Sequence, residues 1–128
     1  MPEKKVIIPA GGAKPLAPYS PGIQYGQLLF TAGQIGLDPA SGTLVDGGVG
    51  PETRQALENL GAVLKAGGSS VAGLLKVTVF LADMNDYAAV NEIYADYVGE
   101  QPPARSAIQL AALPAGARVE IEAVAAVE

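Results

Sequence analysis

Apolar and polar positions alternate in short blocks, and each block predicts an element. Val6 to Ile8 is a short β-branched run and predicts a strand. Pro9, Gly11, Gly12, Pro15 and Pro18 then forbid regular structure. Ile23 to Thr31 alternates in strand fashion, with Ile23, Tyr25 and Leu29 set against Gly26, Leu28 and Phe30. In GQIGLDPASGTLV the turn signals Asp38-Pro39 and Ser41-Gly42 lie between apolar positions, which predicts a hairpin-like loop. The DGGVG stretch is a further break.

The pattern then changes period. Leu57, Leu60 and Leu64, with Ala56 and Val63 alongside, recur at helical spacing. They predict a helix from about Pro51 to Ala66. Proline suits its first turn, Glu52 complements the positive end of the helix dipole, and Gly67-Gly68 stops it. Leu74 to Ala82 predicts a strand with Val77, Val79 and Leu81 on one side and Thr78 and Phe80 on the other. Both sides are largely apolar, as in a central strand. A second helix is predicted from Asn85 or Asp86, both good caps, to Val98, closed by Gly99. Its buried stripe is Val90, Ile93, Tyr94 and Tyr97. Pro102-Pro103 breaks the chain before PARSAIQLAALPAGARVEIEAVA, which reads as a hairpin of two strands.

No linker or repeat divides the chain, so 1–128 is read as a single α+β domain. Two amphipathic helices can cover only one face of such a sheet. The other face carries apolar side chains as well and needs a cover. Other copies of the chain are the cover expected.

Composition agrees with that expectation. Of the 128 residues, 49% are apolar and only 16% charged, against about 25% charged in an ordinary soluble domain. The net charge is −5 and the eight basic residues are scattered. This speaks against nucleic acid, where binding runs on phosphate neutralisation, and against an anionic membrane surface. No apolar run reaches the roughly 18 residues of a membrane span, and the apolar run in MPEKKVIIPAGG is too short for a signal peptide. A cytoplasmic location is therefore expected. The chain has neither cysteine nor histidine. Thiol chemistry, thiolate metal sites and the commonest general base are excluded. Carboxylates, arginine, tyrosines, hydroxyls and backbone groups are what is left.

The charges in the final strands are the candidate chemistry. Arg105 follows prolines that fix the entering backbone. Its fork matches a substrate carboxylate bidentately, or it forms an ion pair with Glu120, Glu122 or a neighbouring subunit. Glu120 and Glu122 stand two apart and point the same way, suited to acid–base work or to a solvated edge. Asn91 is a poor helix former inside a helix, which suggests a specific hydrogen bond. Tyr19 lies in an irregular, proline-rich segment beside Ser20. Tyr87, Tyr94 and Tyr97 are assigned to core and interface. The DGGVGPE stretch lacks the lysine of a phosphate loop.

The segments APYSPGIQYG, LLFTAGQIGLDPASGTLVDGGV, TRQALENLGAVLKAGG, LLKVTVFLADMNDYAAVNEIY and PPARSAIQLAALPAGARVEIEAVA run from about Ala17 to Ala125. In this order and spacing the chain resembles the RidA (YjgF-like) family. The resemblance implies a chorismate-mutase-like α+β fold with two helices on one face. It also implies a barrel-like homotrimer with sites in the clefts between subunits. The implied activity is hydrolysis of reactive enamines and imines such as 2-aminoacrylate to 2-oxo acids and ammonia, with no cofactor and no metal. A non-catalytic carboxylate-binding regulatory trimer is the alternative, and a ribonuclease or translation-inhibitor role is disfavoured by the charge.

Carried over by motif, Arg105 in PARS binds the substrate carboxylate and Glu120 in VEIE handles the attacking water. Tyr19 lines the pocket, Asn91 in VNEIY supports it by hydrogen bonds, and Gly33 in AGQIG brings backbone close to the ligand. Two positions depart from the deaminase pattern. Ala32 stands where serine is frequent, and Ala107, also placed at the substrate site, stands where cysteine is frequent. Glu122 receives no role.

Overall fold

The computed structural model describes residues 3–12, 15 and 17–128. Positions 1, 2, 13, 14 and 16 of the expected 1–128 domain lie outside the described residues. The strands are β1 (Lys5–Ile7), β2 (Gly22–Tyr25), β3 (Leu28–Thr31), β4 (Leu74–Leu81), β5 (Ala104–Gln109) and β6 (Val119–Ala126). The helices are α1 (Val49–Ala66) and α2 (Tyr87–Val98). One six-stranded sheet has the order β1-β2-β3-β6-β4-β5. All neighbours pair antiparallel except β4 and β5, which are parallel.

Both helices lie on one face, as expected. Leu57, Leu60 and Leu64 of α1 pack with Val90 and Tyr94 of α2. Beneath them lie Val77, Val79, Leu81, Val119, Ile121 and Leu29 of the sheet. Full burial of each such side chain is worth about 1.5–3 kcal/mol, so this layer carries most of the fold's stability. A smaller cluster of Ile35, Leu37, Leu113 and Ala117 closes the hairpin-like loop against the β5–β6 connection. In that loop Leu37 bridges Leu44, and Asp38 N donates to Thr43 O at 2.8 Å. Asn59 on α1 ties it down, with Nδ2 donating to the carbonyls of Ile35 and Leu37 (3.1 and 2.9 Å).

Three expectations are corrected. Ile23 to Thr31 is not one strand but the β2–β3 hairpin. Gly26 opens its two-residue turn with φ 60°, in the left-handed region that glycine allows. Such a turn keeps the alternation within each strand but reverses its phase, so Leu28 and Phe30 share a face with Ile23 and Tyr25, and Leu29, expected beside Ile23 and Tyr25, faces the other way. The PARS and VEIE segments do not form a hairpin either. Strand β4 lies between β5 and β6 and pairs with both. Finally, Asn85 and Asp86 do not cap α2 with their side chains. Asp83 accepts from Asn85 N at 2.9 Å and starts a short 3₁₀ turn, Met84–Asp86, that leads into the helix. Asp86 pairs instead with Arg118 at 3.3 Å.

Glu52 also does more than meet the dipole of α1. It is buried at 5% exposure, and its Oε1 accepts from Arg118 N at 2.9 Å. It thus joins the helix to the start of β6.

The second sheet face is open. Register puts Val6, Ile23, Tyr25, Leu28, Phe30 and Val124 on it, followed by Phe80 and Ile108. Phe30 is 42% and Val6 50% exposed. This is the apolar face that the helix count left without a cover.

Candidate active site

Arg105 and Glu120 are fixed by strand parity. Arg105 pairs with Val77 across the parallel β4–β5 ladder, and Val77 faces the helices. Arg105 therefore points to the helix side of the edge strand. Glu120 sits between buried Val119 and Ile121 on β6 and pairs with Phe80, so it points to the open face. Within one chain the two lie on opposite faces. No ion pair joins Arg105 to Glu120 or Glu122 within the chain.

The helix-side group is built by α2. Arg105 Nη1 donates to Asn91 Oδ1 at 2.8 Å, and Nη2 donates to the Tyr87 hydroxyl at 3.0 Å. The guanidinium carbon lies 5.5 Å from the Tyr87 ring centroid and 4.9 Å from that of Tyr94, within cation–π range. Among the described residues Arg118 pairs with Asp86, and no carboxylate is bonded to Arg105. A shallow groove of about 390 Å³ opens here, walled by Asn91, Tyr94, Pro102, Pro103 and Arg105. Burial raises the Tyr94 hydroxyl pKa, and Arg105 opposes the shift. Tyr97 is pushed up to about 12 by burial, with Tyr94 adding to it. Ala107 shares the parity of Arg105 but packs against the core cluster behind it.

The second group surrounds Glu120. Past β3 the chain bonds back onto β6: Gln34 N donates to Ile121 O (2.7 Å), and Ile121 N to Gln34 O (2.9 Å). This lays Gly33 directly on Glu120. A Cβ at Gly33 would sit 2.5 Å from Glu120 Oε2, so only glycine permits the approach. Tyr19, Ala32, Gly33 and Glu120 line one cavity of about 480 Å³, shared with the exposed side of α1. Burial raises the Glu120 pKa above its ordinary 4.5, and neighbouring Glu122 adds to the shift.

The expected site residues thus fall into two sets. Tyr19, Gly33 and Glu120 are together, and Asn91 and Arg105 are together. Tyr87 and Tyr94 join the second set, which their assignment to core and interface had missed. Their spacing with Asn91 (steps of four and three along one helix) was the available signal. No group of three His, Cys, Asp or Glu side chains suited to a metal occurs among the described residues. No helix among them is long and apolar enough to cross a membrane.

The subunit thus combines an α+β fold, an open sheet face, a guanidinium on the helix side of the sheet and a carboxylate of raised pKa on the open side. The chain belongs to the RidA (YjgF-like) family: residues 11–127 match the family described as Endoribonuclease L-PSP. It is 52% identical over 122 residues to a mouse protein named 2-iminobutanoate/2-iminopropanoate deaminase, covering 95% of this chain and 90% of that one. A RutC family protein of Pyrococcus horikoshii is 49% identical, covering 95% of this chain and 97% of its own. The crystal structure of E. coli TdcF with bound serine superposes with a TM-score of 0.90 at 37% identity. That match covers 97% of this chain and 99% of TdcF.

Proposed function

We propose that the protein is a deaminase hydrolysing reactive 2-imino acids and their enamine tautomers, 2-iminopropanoate/2-aminoacrylate and 2-iminobutanoate, to 2-oxo acids and ammonia. The observation that carries this reading is Arg105. It is charged, bonded only to neutral acceptors, and opens on a groove, which is the state of a group that awaits an anion. The names of the relatives near 50% identity support the reaction class. The open sheet face supports a homotrimer in which Arg105 and Asn91 of one subunit meet Tyr19, Gly33 and Glu120 of the next. The location proposed is the cytoplasm.

The reaction needs no more than these groups. Arg105 holds the substrate carboxylate and so places the adjacent imine carbon. Water adds to the carbon of the protonated imine while Glu120 takes one water proton, forming a neutral carbinolamine. Glu120 then returns that proton to nitrogen, the C–N bond breaks to release ammonia, and the hydroxyl proton passes to Glu120 and on to the departing ammonia, leaving the 2-oxo group. A carboxylate whose pKa is raised toward the working pH suits both proton transfers. No cofactor or metal is required by this route.

The test is direct. A serine or threonine dehydratase generates the imine, and its decay is followed spectroscopically. The protein should accelerate decay, and Arg105→Ala should abolish the acceleration. An Arg105→Ala variant as fast as the parent sinks the assignment. Ala32 favours a second reading, a trimer that binds small carboxylates without turnover, because a pocket hydroxyl is missing there. Binding of a 2-oxo acid that depends on Arg105, with no acceleration of decay, would establish it. A ribonuclease role fits poorly with a net charge of −5 and scattered basic residues.

A further inference from the structure

We propose that Tyr87 is a positioning residue for the anion clamp and, through Arg105, sets the affinity for the substrate carboxylate. The inference rests on the reading of Arg105 given above.

Arg105 stands on the edge strand, where no sheet neighbour flanks it on its outer side. A long side chain at an edge samples many rotamers unless something fixes it. Asn91 alone fixes one point: with Nη1 bonded to Oδ1, the guanidinium can still swing about that contact. The Tyr87 hydroxyl supplies the second point by accepting from Nη2 at 3.0 Å. Two anchors on two different nitrogens define the direction of the fork. The Tyr87 and Tyr94 rings, with centroids 5.5 and 4.9 Å from the guanidinium carbon, set its height above the helix.

All three supports project from one face of α2, at positions 87, 91 and 94. The clamp is therefore held by a single rigid element. Both acceptors are neutral, so they orient the cation without cancelling its charge; a carboxylate at position 87 would compete with the substrate. Of the five guanidinium N–H groups, two are used by these anchors and three are left for an anion.

Tyr87→Phe keeps the ring and removes only the acceptor. Its Kd for 2-oxobutanoate, measured by calorimetry, should rise roughly three- to tenfold, the loss of one modest hydrogen bond. In the deaminase assay the loss in kcat/KM should fall on KM. The thermal midpoint should stay within about 2 °C, because Tyr87 is 40% exposed. In an Arg105→Lys background, which keeps the charge but not the fork, the same change should cost less than twofold.

The outcomes separate cleanly. If Arg105→Ala binds 2-oxobutanoate as tightly as the parent, the clamp reading fails and takes this inference with it. If Arg105→Ala loses binding while Tyr87→Phe retains it, only the role of Tyr87 fails. An equal loss from Tyr87→Phe in the Arg105 and Arg105→Lys backgrounds overturns it too, because the hydroxyl then acts elsewhere.

Discussion

Gly33→Ala separates the position of Glu120 from the stability of the fold. The added Cβ would lie 2.5 Å from Oε2, 2.7 Å from Cδ and 2.9 Å from Cγ of Glu120. Non-bonded carbon needs roughly 3.5 Å, so the carboxylate must withdraw by about 1 Å. Gly33 does not adopt a positive φ, so alanine fits the backbone. What yields is the end of a flexible side chain, at a rotamer cost of about 0.5–1.5 kcal/mol. Stability should therefore fall by no more than a few degrees in thermal midpoint. Activity should fall much further, because a 1 Å misplacement of a reacting group costs on the order of 10²-fold in rate. Imine decay and thermal melts on the same sample measure the two quantities. The reasoning is refuted if the variant keeps more than about a third of the parent rate. It is also refuted if stability drops by more than about 3 kcal/mol, because the backbone rather than Glu120 would then be absorbing the clash.

Three further outcomes are expected. Glu120 has a folded-state pKa raised above 4.5 by burial and by Glu122, so its contribution to stability is complete below that value and is lost as pH rises through the raised one. Glu120→Gln should then gain thermal midpoint relative to the parent at pH 7 and lose that advantage near pH 4, while its deaminase rate falls about 10²-fold or more. Leu60→Ala, at a side chain 1% exposed on the face of α1 that packs into the core with α2 and the sheet, should cost about 2–5 kcal/mol in chemical denaturation. Phe30→Asp on the open face should convert a particle of three times 13.0 kDa to one of 13.0 kDa in sedimentation; a parent that already sediments at 13.0 kDa removes the shared-site reading.

Parity was legible on β6 and not on β5. Val119, Ile121 and Ala123 alternate with Glu120, Glu122 and Val124, so the outward direction of Glu120 can be read from its neighbours. The run ARSAIQ has no such alternation, because an edge strand packs little on either face. Only its pairing with β4 shows that Arg105 turns to the helices. That pairing is itself non-local. Chain order put the PARS and VEIE segments side by side, whereas β4, with Val77, Val79 and Leu81 buried, takes the central place between them. The helices were read well because Leu57, Leu60 and Leu64 report a period that burial enforces. The start of α2 at Asp86 was legible, but its capping was not, because three acceptors, Asp83, Asn85 and Asp86, compete there, and Arg118 claims one of them. The closeness of Gly33 to Glu120 depends on the Gln34–Ile121 bridge, which joins segments far apart in sequence.

The place of β6 between β3 and β4 has a consequence during synthesis. Thr31 and Val119 are 88 positions apart, so at about 5–20 residues per second the ribosome needs roughly 4–18 s to make the strand that joins them. Until then β1–β3 and β4–β5 are two unconnected ribbons, and β3 and β4 each present an unpaired edge bearing Leu29, Val77 and Val79. Such edges recruit any strand nearby, including those of sister chains on the same message. Strand β6, once made, seals both edges at once.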